Sequence, residues 1–522
     1  MLAAALPRTI EDTRRKLVRV MGFRDEPGGG RGKWLALTAA LLGWMFDGLE
    51  QGLFPLVARP ALRGLLGGDP SEGEIGQWIS VATAAFLVGA ATGGVVFGWL
   101  GDRVGRVRAM TLSVLTYAVF SGLCGVASAP WQIAVLRFLS ALGMGGEWSL
   151  GVALVMEIWP DSSRGLISGL IGAAANVGFL LIALVGLGLT QILGQVHGWL
   201  LASGLGVDVV ESLVANSGWR LLMFCGAAPA VLTFFIRLFV PESERWQHEQ
   251  SRGATSHWAT RDLVGVLVGA LGAGGIIYVW IMDLGWTIRL PATALGLLVA
   301  AAGYTYPVLR YLQRSNRGSA DPLHAVRPTL GRMLLGACLS GVPLCVTWGA
   351  GAWTPSWADQ LTDGAMPAAK AYTQICAALG AIVGAVGGAV IGHRLGRRLT
   401  YCGLCLSALA ASLFLYQFNS AFGPLFLVSM FAVGLTTASF YGWLPLYLPE
   451  LFRTSVRATG QGFSYNFGRI LAAMGVLQTG NLMNTVYQNN YPQALTVISL
   501  VYVIGLAIIW LAPETRGQPL PE

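Results

Sequence analysis

Runs of about 20 residues almost free of charge recur along the chain, each long enough to cross the ~30 Å hydrocarbon layer as a helix. They fall at 34–57, 77–100, 107–127, 131–156, 165–193 and 219–240, and again at 332–355, 369–392, 399–417, 423–448, 458–480 and 492–512. Two more, 263–282 and 290–309, lie between these sixes around a tight turn at Asp283–Thr287. Only 11% of the 522 residues are charged, against about 25% in soluble domains. The 70 glycines suit helices whose backbones approach closely in lipid. An all-α polytopic membrane protein with 14 spans is expected; the inserted pair could instead be a buried or interfacial hairpin.

The net charge of +8 lies in loops, which argues for sidedness rather than nucleic-acid binding. With a cytoplasmic N-terminus, Lys and Arg fall inside except for Arg59, Arg63, Arg220, Arg289 and Lys370, which fall outside, and Arg137 and Arg469, which fall within spans. The expected order is a basic cytoplasmic tail (1–33), a six-helix bundle (34–246), a central segment holding the inserted pair (247–328), a second bundle (329–512) and a cytoplasmic tail (513–522). Both termini then share the cytoplasmic side of a cell (inner) membrane. The segment Gly28–Lys33 is faintly similar to a phosphate loop, but its first glycine is missing and Trp34 replaces Ser or Thr. All seven cysteines fall in spans. Cys402 and Cys405 have redox-pair spacing but no second ligand pair nearby, and read as small apolar residues. No metal or organic cofactor is expected.

Between the second and third runs stands Gly98-Trp-Leu-Gly-Asp102-Arg103-Val-Gly105-Arg106, and the other half repeats it as His393-Arg394-Leu-Gly396-Arg397. Glu157 and Arg164 after the fourth run match Glu450 and Arg457 after the tenth, an offset of 293. Pro241-Glu242-Ser243 closes one half and Pro513-Glu514-Thr515 the other. Ordered repeats of this kind mean two homologous halves, with a substrate site at their interface near mid-membrane.

Asp-Arg-x-Gly-Arg in this setting resembles the signature of the major facilitator superfamily, and the likeness runs from about Trp34 to Arg516. Arg137–Trp148 and Pro449–Arg469 resemble its metabolite/proton symporters. Asp47-Gly-Leu-Glu50 is similar to the Asp-Gly-x-Asp of aromatic-acid and sialate symporters, and Pro-Glu-Ser-x-Arg to the ending of sugar porters. The fifth span, Gly172–Gly178, lacks the proline of drug/proton antiporters, and the Glu-x-x-Glu-Arg of peptide symporters is absent. The resemblance implies two six-helix bundles working as a monomer, driven by a proton gradient. It also implies a cytoplasmic gate built from Gly98, Asp102, Arg103, Gly105, Arg106, Glu157 and Arg164, with Arg394, Gly396, Arg397, Glu450 and Arg457 as the second copy. His393 in place of Asp102 makes that copy weaker or pH-sensitive.

Charges inside hydrocarbon cost a few kcal/mol each, so those retained mark function. Asp47 and Glu50 share one helix face, and Arg137 and Glu147 reach overlapping depths; these four are the expected proton-coupling set. Three acids face two arginines, counting Arg469, so one acid is in surplus and can carry a proton. Asn176, Trp348, Tyr441, Trp443, Asn466 and Arg469 are the expected substrate contacts, Arg469 for a carboxylate and the aromatics for a ring or sugar face. Trp353 and Trp357 read as an interfacial belt. The expected function is proton-coupled uptake of a small organic acid, with a sugar or polyol carrier as the alternative. A membrane enzyme is disfavoured, because there is no ligand cluster or nucleophile elbow.

Overall fold

The computed structural model describes residues 30–282, 284–316, 326–351, 353–362, 366, 369–481, 487 and 490–521. Almost all of the expected N-terminal tail and part of the linker before the second half lie outside them. Among the described residues there is no strand. The first runs appear as α1 (Gly30–Leu66), α2 (Glu72–Val104), α3 (Arg106–Leu123), α4 (Pro130–Ile158) and α5 (Arg164–Ala202). The sixth is divided into α6 (Val207–Cys225) and α7 (Ala230–Phe239). Asn216 and Ser217 take positive φ (50° and 65°) within α6, and Pro229, which has no N–H to donate, stands just before α7.

After the short α8 (Glu244–Ser251) comes the inserted hairpin of α9 (Leu263–Ile281) and α10 (Trp286–Ser315). The second half contains α11 (Val326–Val346), α12 (Thr354–Leu361), α13 (Ala369–Leu395), α14 (Arg397–Phe418) and α15 (Pro424–Tyr447). It continues as α16 (Arg457–Asn466), α17 (Gly468–Asn481), α18 (Tyr491–Ser499) and α19 (Val501–Ile508). Eleven helical stretches among the described residues are long and apolar enough to cross a membrane, both hairpin arms included. The expected spans 219–240 and 458–480 do not reach that measure, each being broken in two, and neither does α1.

The halves repeat one packing scheme: α2 lies along α4, and its counterpart α13 along α15. α1 crosses α5 so closely that a Cβ on Gly48 would stand 1.8 Å from the Ala175 carbonyl oxygen, and one on Gly178 1.8 Å from that of Met45. Only glycine allows that approach, and the approach fixes the depth and rotation of α1, hence of Asp47 and Glu50. The halves meet where α5 packs on α13 and α15, and where α16 and α17 pack on α2. The hairpin lies along that second seam. Tyr304 shares a 2.8 Å hydrogen bond with Thr92 of α2 and sets its ring edge-on to Phe467 between α16 and α17. Its opposite face exposes Leu267, Leu271, Leu295 and Leu298, a lipid-compatible surface. The hairpin is thus docked on the body of the protein.

Candidate functional site

A cavity of about 280 Å³ lies between α1 and α5 of the first half and α11–α15 of the second. Its polar lining comes from Gln51, Asn176, Thr347, Gln374, Ser412, Thr437 and the hydroxyls of Tyr416 and Tyr441; Trp348 and Phe179 add aromatic faces. Tyr441 donates to Thr347 at 2.7 Å. Among the described residues, none that lines it is charged. A larger open groove of about 500 Å³ beside Arg332 and Arg398 lies at the helix ends, outside the space between the halves, so the central cavity is the candidate transport site.

Asn176, Trp348 and Tyr441 line this cavity, whereas the other three expected contacts, Trp443, Asn466 and Arg469, are not among its lining residues. Trp443 is fully buried between the rings of Tyr401 and Tyr447. Asn466 ties α16 to α4 by donating to the Gly145 carbonyl at 3.0 Å. Both belong to helix packing. Trp357 is not part of an interfacial belt, because it is buried against Tyr416 and Phe426. Gln51 and Gln374 were not singled out in the sequence, where a lone amide in an apolar run carries no face or depth.

Beside the cavity the expected buried charges converge. Arg137 pairs with Glu50 at 2.6 Å, and Ser140 and Ser121 donate to the same carboxylate oxygen at 3.3 and 3.4 Å. The guanidinium also sits over Phe86 and Phe54, 4.1 and 4.6 Å from the ring centroids. The other Glu50 oxygen and the Arg137 Nε have no hydrogen-bond partner among the described residues. Asp47 and Glu147 form a second group, since Glu147 of α4 reaches Gly43 of α1, one helical turn from Asp47. Glu147 presses its carboxyl against Gly43 of α1, and both its oxygens are buried without a hydrogen-bond partner. Arg469, 3% exposed, makes no ion pair among the described residues. It lies over Tyr465 at 5.5 Å and 3.9 Å from the Met144 sulfur.

The signature loops form a lock at the other end of the bundle. Asp102 accepts from the backbone N–H of Ala458 and Thr459 (3.2 and 2.8 Å) and from the Thr459 hydroxyl (2.6 Å), at the N-terminus of α16, where a helix dipole favours an anion. Arg106 joins Asp102 (2.6 Å), Glu157 (3.3 Å) and the Thr454 carbonyl (2.8 Å). Glu157 pairs with Arg457 of the other half at 2.7 Å. Gly98 rests against the backbone of Ala458 and Thr459. In the second copy Arg397 pairs with Glu450 at 2.6 Å, Arg164 is buried where its charge acts on Glu450, and Arg394 is exposed. Arg103, the remaining gate arginine of the first copy, donates to Thr260 at 2.7 Å and stacks over Trp99.

The Pro-Glu repeats have a geometric meaning that spacing did not disclose. Gly105 (φ 113°) and Gly396 (φ 102°) turn the chain between signature helices in a conformation that favours glycine. The helix that follows each is capped from a distant segment. Glu242 accepts from the N–H of Arg106 (2.9 Å) and Val107 (3.1 Å), and Glu514 from those of Arg397 (2.9 Å) and Arg398 (3.1 Å). The next residues repeat as well, Ser243 donating to Glu157 and Thr515 to Glu450. Burial pushes the Glu242 carboxyl above its usual range, the N–H groups only partly offsetting it. Glu514 is less buried, and the N–H groups of Arg397, Arg398 and Arg516 outweigh burial and hold its carboxyl low.

A cavity between repeated halves, locked at one end by paired loops, defines a class: the secondary membrane transporters. The sequence profile described as "Sugar (and other) transporter" matches residues 67–265 and 363–517, and the chain belongs to that family, within the major facilitator superfamily. It is 27% identical over 495 residues to the "Probable 4-methylmuconolactone transporter" of Cupriavidus pinatubonensis, covering 92% of this chain and 90% of the relative. It is 28% identical over 442 residues to an inner membrane metabolite transport protein of Escherichia coli, covering 83% and 82%. The fold is similar to that of the proton:xylose symporter XylE, with a TM-score of 0.62 at 17% identity over 94% of this chain and 97% of that one. These relatives are transporters, not enzymes.

Proposed function

We propose that the protein is a proton-coupled symporter that takes up a small organic acid by alternating access, acting as a monomer with its signature loops on the cytoplasmic side. Arg469 carries this reading. It is a buried cation that makes no ion pair among the described residues, and its helix α17 packs against the segment of Thr347, Trp348 and Gly351 that lines the cavity. A carboxylate substrate needs a positive partner beside this lining, and Arg469 would be that partner, since Arg can hold a carboxylate through two parallel hydrogen bonds. Asp47 and Glu147 share one low-dielectric site and would repel each other if both were ionised, so a proton held between them accompanies the substrate. The Glu50–Arg137 pair holds α1 against α4 and keeps Arg137 away from that proton. The likeness to a muconolactone transporter supports the metabolite class.

The test is uptake into proteoliposomes under an imposed pH gradient. Arg469→Lys is expected to lower organic-acid uptake by about tenfold, the scale of one charge-assisted hydrogen bond, and unchanged acid uptake would remove Arg469 as the anchor. Asp47→Asn is expected to abolish accumulation driven by the pH gradient while leaving exchange of substrate across the membrane.

A neutral sugar or polyol is the second reading. It is favoured by the same cavity's lining of amides, hydroxyls and aromatic faces with no charge, and by the family profile. Alkalinisation driven by sugars but by no acid would decide for it.

A further inference from the structure

The open groove outside the transport pathway carries two arginines on its wall. It runs between the start of α11, the start of α14 and the chain that follows α19, and is lined by Pro328, Arg332, Leu335, Arg398, Leu511 and Pro513. These positions lie at the ends of three membrane-length helices, where lipid headgroups meet the protein. Each guanidinium is oriented by one backbone carbonyl, Arg332 by Leu451 (3.1 Å) and Arg398 by Ala512 (2.5 Å). Each therefore keeps further donors for a ligand.

The two nearby acids are outnumbered by the three arginines around them, Arg332, Arg397 and Arg398, so a positive charge remains in surplus. Glu450 is taken by Arg397 and Thr515, and Glu514 by the N–H groups of Arg397, Arg398, Thr515 and Arg516. Neither Arg332 nor Arg398 makes an ion pair among the described residues. Beside them Leu511 is 76% exposed, an apolar side chain at the groove wall. Two positive forks over an apolar ledge match a phosphodiester joined to an acyl chain. Neither a soluble anion, which has no use for the ledge, nor a zwitterionic lipid, whose own cation competes for the phosphate, fits as well.

We propose that this groove binds one anionic phospholipid, its phosphate held by Arg332 and Arg398 and a chain lying on Leu511 and Leu335. The experiment is native mass spectrometry of the full chain released from nanodiscs of equal phosphatidylglycerol and phosphatidylcholine. The expected result is retention of one phosphatidylglycerol in preference to phosphatidylcholine. The preference falls about tenfold in Arg332→Gln/Arg398→Gln and partly returns in Arg332→Lys/Arg398→Lys. Leu511→Glu, at an exposed position that disturbs no packing, lowers it as well and keeps the test open if the double variant fails to fold. Equal retention of both lipids, an unchanged preference in Leu511→Glu, or displacement of the lipid by millimolar inorganic phosphate would overturn the proposal.

Discussion

Glu50 and Arg137 show how one side chain's partner decides another's freedom. Sequence placed Asp47 and Glu50 on one face, but it could not say which acid Arg137 would reach, because that depends on the rotation of α1 against α4. The Gly48–Gly178 crossing fixes the rotation, and Glu50 takes the arginine. Removing one member leaves a buried charge alone, a loss of about 3–5 kcal/mol. Glu50→Gln is therefore expected to lower thermal stability in detergent sharply, and Glu50→Gln/Arg137→Met to recover much of it; a double variant no better than the single would contradict the pairing. Trp443 and Asn466 mark the limit of reading residues alone. Their types suit ligand binding, yet their helical phase turns them into the packing, and a phase error of one residue is enough to confuse the two.

At the level of elements, membrane-length runs were plain, as were the repeated loops. The breaks at Ala215–Gly218 and Phe467 were not, since helix continuity depends on local backbone angles that hydropathy does not register. Nor were the two caps, which join segments more than 100 residues apart. The Glu514 cap makes a pH prediction. Its carboxyl ionises more readily when folded than when unfolded, so its stabilisation is present above the unfolded value of about 4.3 and is lost as pH falls through the lower folded value. Glu514→Gln is expected to cost about 1 kcal/mol near neutrality and to flatten the acid limb of a melting-temperature profile below about pH 4.3. At the seam, Tyr304→Phe removes the hydroxyl bonded to Thr92 and should cost about 1 kcal/mol, with faster hydrogen exchange in α9 and α10 as the local sign.

Across the whole molecule, the lock and the cavity occupy opposite ends, so the structure is closed on the signature-loop side. Asp102 holds three donors of the other half. Asp102→Asn exchanges a charged acceptor for a neutral amide, and should weaken the closed arrangement by about 1.5–3 kcal/mol. The check is hydrogen exchange in residues 454–466, which is expected to rise by at least tenfold with the cavity residues unchanged; equal protection would mean that the seam is held elsewhere. The glycine contacts say how such an opening can proceed. A Cβ on Gly169 would stand 2.7 Å from the Val386 Cα, and one on Gly172 2.6 Å from the Tyr441 oxygen. Backbones that touch this closely have no clearance for sliding, only for rolling. In the alternating access proposed above, the crossing of α5 over α13 and α15 would serve as a fulcrum and each half as a stiff lever, so that separation at one end of the bundle would reach the other as approach.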